Sequence, residues 1–128
     1  MQLPSLDNPY LESLGITVQA WLPGQVTMAL LTNASHGNRT GVVQGGIVAT
    51  LLDAAAGYAG LLSETGEVGH AATISLAINY VAPARIGELR VEARLTGGGR
   101  KVFFSEAKVF DAAGSLVATA QGSFRRYS

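Results

Sequence analysis

One carboxylate stands where a folded chain has difficulty keeping one. Between Ser13 and Ser63 the only formal charges are Arg39 and Asp53, and Asp53 is flanked by Leu51 and Leu52 before it and by Ala54, Ala55 and Ala56 after it. A segment apolar on nearly all sides reads as a buried helix. A carboxylate inside one must be hydrogen-bonded, protonated or reached by solvent through a pocket, because burying an unpaired charge is costly. Two readings are open: Asp53 caps a neighbouring backbone group, or it does chemistry as a base or nucleophile. Gly57 and Gly60 lie four and seven residues on. That spacing puts them on the face of Asp53, with room beside the carboxylate for a ligand or another chain.

A second pattern, Gly41-Val42-Val43-Gln44-Gly45-Gly46, runs directly into this segment. A helix N-terminus presents unpaired N–H groups and a partial positive charge, and glycines let a ligand approach them closely. That combination suits the oxyanion of acyl transfer. It also suits a glycine loop packed tightly for steric reasons alone.

The elements that position these groups follow from period and punctuation. Asn8-Pro9 and Gly15 bracket a short helix, with Asn as cap, Pro in the first turn and Gly at the end. Ile16–Leu22 and Val26–Thr32 are β-prone runs around Pro23-Gly24, which suits a type II turn. Residues 33–44 read as a loop, and Gly45–Ser63 as the long apolar helix. From Ala71 the period becomes two: Ile74, Leu76, Ile78 and Tyr80 share one face, and Thr73, Ser75, Ala77 and Asn79 the other. Leu89–Leu95, Val102–Phe110 and Leu116–Phe124, separated by Gly97-Gly98-Gly99 and Asp111–Gly114, form a hairpin-linked meander. The prediction is an α+β domain with one antiparallel sheet packed on one central helix, a single domain over 1–128.

Composition narrows the function. Hydrophobic residues make up 48% and charged residues 14% of the 128, against the usual ~25% charged, which excludes a disordered chain. The absence of cysteine excludes disulfide scaffolds, thiolate metal sites and a Cys nucleophile. Zero net charge argues against nucleic-acid binding. So little charge on so small a protein suggests surface buried against other subunits. The start MQLPSLDNPY has neither the basic nor the apolar region of a signal peptide, so the expectation is a cytoplasmic protein. The 45–63 segment, rich in Ala and Gly with Asp at its centre, reads as a soluble helix and not a membrane span. His36 and His70 lack metal spacing and read as loop residues; Trp21, Tyr58 and Phe104 read as packing. No metal or redox-cofactor motif is visible.

Together the motifs resemble a family. Asn38-Arg39-Thr40-Gly41-Val42-Val43-Gln44-Gly45-Gly46, with Asp53 seven residues beyond, is similar to the signature of hot-dog-fold acyl-CoA thioesterases, in the branch of the phenylacetic-acid-degradation (PaaI-like) and 4-hydroxybenzoyl-CoA enzymes. That signature is Asn-x-x-Gly-x-x-His-Gly-Gly followed by an acidic residue. The stretch from Thr73 through Tyr80 and Pro83 to Gly87, then Gly99-Arg100-Lys101 and Gly114–Ala118, resembles its later strands and turns, so the likeness spans roughly residues 10–126. The resemblance implies a sheet wrapped around the helix, paired into a dimer or tetramer with active sites at the subunit interface. It makes Asp53 the nucleophile or general base and the Gly45 N–H the group that polarises the thioester carbonyl. Asn38 assists at the carbonyl or water, and Thr73 helps hold the water. Gln44 replaces the usual His: it can position the loop by hydrogen bonding but cannot carry a proton at neutral pH. The substrate is an acyl-CoA, with coenzyme A as part of the substrate and no separate cofactor.

Eight of the nine basic residues lie between Arg85 and Arg126, against four acids. Arg85, Arg100 and Lys101, with Gly46, are the candidate CoA contacts, the cations for its phosphates; an ordinary solvated face is the other reading. Arg90 and Arg94 alternate along a strand and read as solvated. A non-catalytic acyl-CoA binder on the same fold, suggested by Gln44, is the rival function. A hot-dog dehydratase would need a His paired with an acid in a motif that this chain lacks.

Overall fold

The computed structural model describes residues 3–127. Helix α1 (Pro9–Leu14) starts as its sequence dictates: the Asn8 side chain accepts from Leu11 N at 3.2 Å, Pro9 takes the first turn, and Gly15 ends it in the left-handed region at φ 89°. Strands β1 (Thr17–Leu22) and β2 (Gln25–Leu31) form the first hairpin. Gly24 at its turn has φ 85°, the conformation a type II turn requires there.

Helix α2 (Gly45–Tyr58) is 14 residues long and buries Val48, Leu51, Leu52, Ala55 and Ala56. Those positions recur at i, i+3, i+4, i+7 and i+8, one stripe of a helix. The opposite side carries Gly46, Ala49, Thr50, Asp53, Ala54 and Gly57, all partly or fully open. The expectation of a helix buried all round is therefore corrected. The second face is made of small residues, which count as apolar in composition but leave an open surface.

The helix also ends five residues earlier than the sequence suggested. After Tyr58 the chain tightens, with Gly60 N donating to Gly57 O and Leu61 N to Tyr58 O at 3.2 and 3.1 Å. It then turns back through a Leu62–Val68 bridge. Gly60 was expected to leave room for a ligand. A Cβ there would run into the ring of Phe103, so its space is already filled by the core. Phe103 stacks on Phe124 at 5.2 Å, and Arg126 lies over the Phe103 ring at 4.4 Å while donating to the Gly60 carbonyl.

Strands β3 (His70–Tyr80), β4 (Glu88–Gly98), β5 (Val102–Phe110) and β6 (Leu116–Tyr127) complete an antiparallel sheet of order β1-β2-β4-β5-β6-β3. The expected meander is β4-β5-β6. β3 crosses over to pair with β6 and forms an edge. The sheet packs its inner face (Met28, Leu30, Leu89, Val91, Phe103, Val109, Val117, Phe124) on α2. On its outer face Arg90 pairs with Glu92 at 2.8 Å and Arg94 with Glu106 at 2.5 Å, the solvated pattern expected of them. Phe104, expected in the packing, is instead 48% exposed on that outer face. Among the described residues no helix is long and apolar enough to cross a membrane.

Candidate active site

Asp53 projects from the open face of α2 toward β3, where Thr73 Oγ1 donates to its Oδ1 at 2.7 Å. The carboxylate is thus held by a side-chain hydroxyl, in place of the backbone group of the capping reading. Simple alternation had put Thr73 on the face opposite Leu76, Ile78 and Tyr80. The strand corrects this with a bulge: Thr73 pairs with Phe124 and Ser75 with Ser123, leaving Ile74 as an extra residue, 57% exposed. The bulge brings Thr73 to the helix side together with Leu76, Ile78 and Tyr80, re-aiming one side chain without disturbing the ladder beyond it.

Asp53 and Thr73 line a cleft of about 800 Å³ along the open side of α2. Ala54, Gly57, Tyr58, Leu61 and Phe124 give it an apolar wall, and residues 4–11 close one side. His70 and Tyr127 stand at its edge, stacked at 5.8 Å. His70 is therefore the first residue of β3 and not a loop residue. His36 is not in an open loop either: it is buried in a 3₁₀ turn (Ala34–His36), where its Nδ1 accepts from Asn33 N at 3.0 Å. Sequence reasoning passed over His70, Tyr127 and the 4–11 wall because none carries a spacing signal; only the pairing of β3 with β6 and the return of the N-terminus bring them here.

The other candidates gather at the start of α2. Gly45 is its first residue, and Tyr80 Oη donates to the Gly45 carbonyl at 2.9 Å. A Cβ on Gly46 would meet nothing within 4 Å, so that side of the helix start is open to an approaching group. The preceding loop is held from within. Asn38 Oδ1 accepts from Thr40 N, Thr40 Oγ1 and Val42 N at 2.9, 2.7 and 3.3 Å, and its amide N–H groups donate to none of the described residues. Gln44 N donates to His36 O at 2.8 Å. The Gln44 side chain, expected to position this loop, is exposed and makes no capping hydrogen bond; Asn38 and the His36 turn do the positioning.

The structure separates these two groups. Asp53 lies eight residues into the helix that Gly45 starts, about 12 Å along its axis. The cations divide likewise. Arg85 is bridged to Val42 beside the helix start. Arg100 and Lys101 lie in the β4–β5 turn, where Arg126 N donates to Lys101 O at 2.8 Å, at the other end of α2. Within one chain the three do not form one phosphate site. No group of three or more metal-ligating side chains occurs among the described residues.

The sequence matches the thioesterase superfamily over residues 40–118, the stretch from the Asn38 loop through α2 to β6. The chain belongs to this superfamily. It is a thioester hydrolase with a hot-dog fold, a six-stranded antiparallel sheet around one helix. It is similar to human acyl-coenzyme A thioesterase 13, with 30% identity over 80% of this chain and 74% of that one. Among solved structures, a conserved Pseudomonas aeruginosa protein superposes with TM-score 0.85 at 32% identity, covering 94% of each chain. A variant of the phenylacetic acid degradation protein PaaI of Thermus thermophilus superposes with TM-score 0.82 at 26% identity, over 94% of this chain and 100% of that one.

Proposed function

We propose that this thioesterase hydrolyses acyl-CoA to a free acid and CoA in a site shared by two chains. Asp53 and Thr73 come from one subunit, and the Gly45 N–H with Asn38 from its partner. The observation that carries the reading is the separation along α2. A nucleophile and an oxyanion donor must both lie about 3 Å from one reacting carbonyl, and two groups about 12 Å apart on one rigid helix cannot meet that condition. A two-fold axis that sets two α2 helices antiparallel brings the start of one beside the middle of the other. The unpartnered β3 edge and the sparse surface charge support such a pairing, as a dimer or tetramer.

In that site the Gly45 N–H and an Asn38 amide N–H draw charge onto the thioester oxygen. Asp53 then either takes a proton from water as the water oxygen attacks the carbonyl carbon, or attacks that carbon itself and is freed by water. In both routes the C–S bond breaks and the CoA sulfur leaves as a thiolate, which takes up a proton from solvent. Thr73 occupies one carboxylate oxygen and leaves the other for this work. Neither route calls on a cofactor.

The test has two parts. A thiol-release assay over aryl and straight-chain acyl-CoAs should find turnover; an inert parent would make the protein an acyl-CoA binder. Mixing inactive Asp53→Asn chains with inactive Asn38→Ala chains should restore activity, because mixed pairs contain one intact site. No recovery after verified subunit exchange would overturn the shared site.

A further inference from the structure

The cleft that holds Asp53 has one wall that belongs to neither the sheet nor α2. Residues 4–8 and the first turn of α1 form it, and the Tyr58 side chain ties down the part that precedes α1. Tyr58 Oη donates to Leu6 O at 3.3 Å and accepts from Asn8 Nδ2 at 3.2 Å. Asp7, between them, is the one non-glycine residue with a positive φ among those described, 46°. This is the left-handed region that Asp tolerates better than most residues. The turn there lets Leu6 offer its carbonyl to Tyr58 while Asn8 still caps α1. Tyr58 stands five residues beyond Asp53 on the same helix, about 7–8 Å along the axis. Between them on α2, Ala54 and Gly57 line the cleft, with Phe124 against Gly57; the charged Asp7 lies on the N-terminal wall.

We infer that this latched segment is the end-stop of the acyl pocket, and that the Tyr58–Asn8–Leu6 bonds set how long an acyl group the enzyme accepts. The inference rests on the thioesterase reading of Asp53. With the reacting carbonyl at Asp53, the apolar acyl group takes the apolar stretch toward Tyr58, because the polar CoA gains nothing by leaving water there. The acyl group then meets residues 4–8, which the two Tyr58 hydrogen bonds and the half-buried Leu6 hold, ahead of α1, whose Leu11 is anchored in the core. Loosening the latch lengthens the pocket. Each methylene newly taken out of water is worth about fourfold in kcat/KM, so room for two more raises the preference for long over short chains by about tenfold or more.

The experiment uses Tyr58→Phe, which removes only the hydroxyl, and Asn8→Gly, which cuts the second bond while a Gly cap costs α1 only a few tenths of a kcal/mol. Two readouts are taken over straight-chain acyl groups of increasing length: kcat/KM with acyl-CoAs, and affinity for non-hydrolysable alkyl-thioether CoA analogues. Both variants should shift the long-to-short ratio upward in both readouts. An unchanged or lowered ratio in both variants overturns the inference, as does an equal fall at every length, which would mark Tyr58 as merely structural. If the parent hydrolyses nothing while the analogue affinities shift as stated, the end-stop stands and the hydrolytic reading of Asp53 fails.

Discussion

Thr73 of β3 donates its hydroxyl to the carboxylate of Asp53 across the gap between sheet and helix, at 2.7 Å. The contact joins an edge strand to the open face of the core helix, and the extra residue Ile74 leaves Thr73 facing inward with the strand's packing residues. A hydroxyl on one oxygen of a half-buried carboxylate fixes its rotamer and orients the other oxygen.

Asp53→Asn should keep the fold and nearly abolish hydrolysis. Asn still accepts from Thr73 but neither attacks nor takes a proton from water, so kcat should fall at least ~10²-fold. Circular dichroism and a thermal melt like the parent's, beside a lost thiol-release rate, is the expected pair of results. A parent-like rate would return Asp53 to a structural role.

Thr73→Val keeps the β-branched shape and removes the donor. Hydrogen bonds to charged groups are worth about 1.5–3 kcal/mol, which corresponds to about 10- to 100-fold in rate if all of it orients the carboxylate. Thr73→Ser should stay within about threefold, since the hydroxyl is kept. Steady-state kcat for the two variants separates orientation from simple packing: equal rates would show that the hydroxyl does nothing.

Gly60→Ala should destabilise the protein. The new methyl would push into Phe103, which stacks on Phe124 beneath Arg126. Overpacking of this kind costs about 1–3 kcal/mol, read as a lower urea midpoint at unchanged m-value. Unaltered stability with weakened substrate binding would instead restore the reading of Gly60 as ligand space.

Ala in place of Arg85, Arg100 or Lys101 should raise KM while leaving kcat near the parent's, since contacts to the remote phosphates act equally on substrate and transition state. The effect should shrink as salt rises. Because Arg85 and Arg100-Lys101 stand at opposite ends of α2, their effects should add like those of independent sites unless two chains bring them to one phosphate group. A KM that none of the three alters would leave all of them on the solvated face.

The sequence made much of this readable because its signals are local. Pro23-Gly24 and Asp111–Gly114 mark turns by backbone chemistry, whereas Gly97 and Gly98, expected in a turn, extend β4 and the chain turns at residues 99–101. The alternation of Leu89, Val91, Ala93 and Leu95 marks an inward face; the first three are buried, while Leu95 is 38% exposed. What escaped depends on pairing between distant segments. The bulge at Ile74 is defined only against Ser123 and Phe124, so alternation by itself placed Thr73 on the wrong face. The end of α2 is set by Phe103 and Arg126, more than 40 residues on, which no helix-stop rule in the 58–63 segment contains. Ala and Gly at 46, 49, 54 and 57 read as burial because composition does not distinguish a small residue that fills a core from one that leaves an opening.

Trp21 is the single tryptophan of the sequence. It is 3% exposed, its indole N–H donates to the Tyr58 carbonyl at 3.1 Å, and the two rings meet edge to face at 85°. The chain thus carries an intrinsic fluorophore in contact with the residue that holds the N-terminal segment. An occupant that disturbs that segment changes the polarity and quenching around one indole, and the emission reports it without a label. A group that reacts at Asp53 without reaching Tyr58 leaves the spectrum unaltered, so one optical signal distinguishes long occupants from short ones in real time.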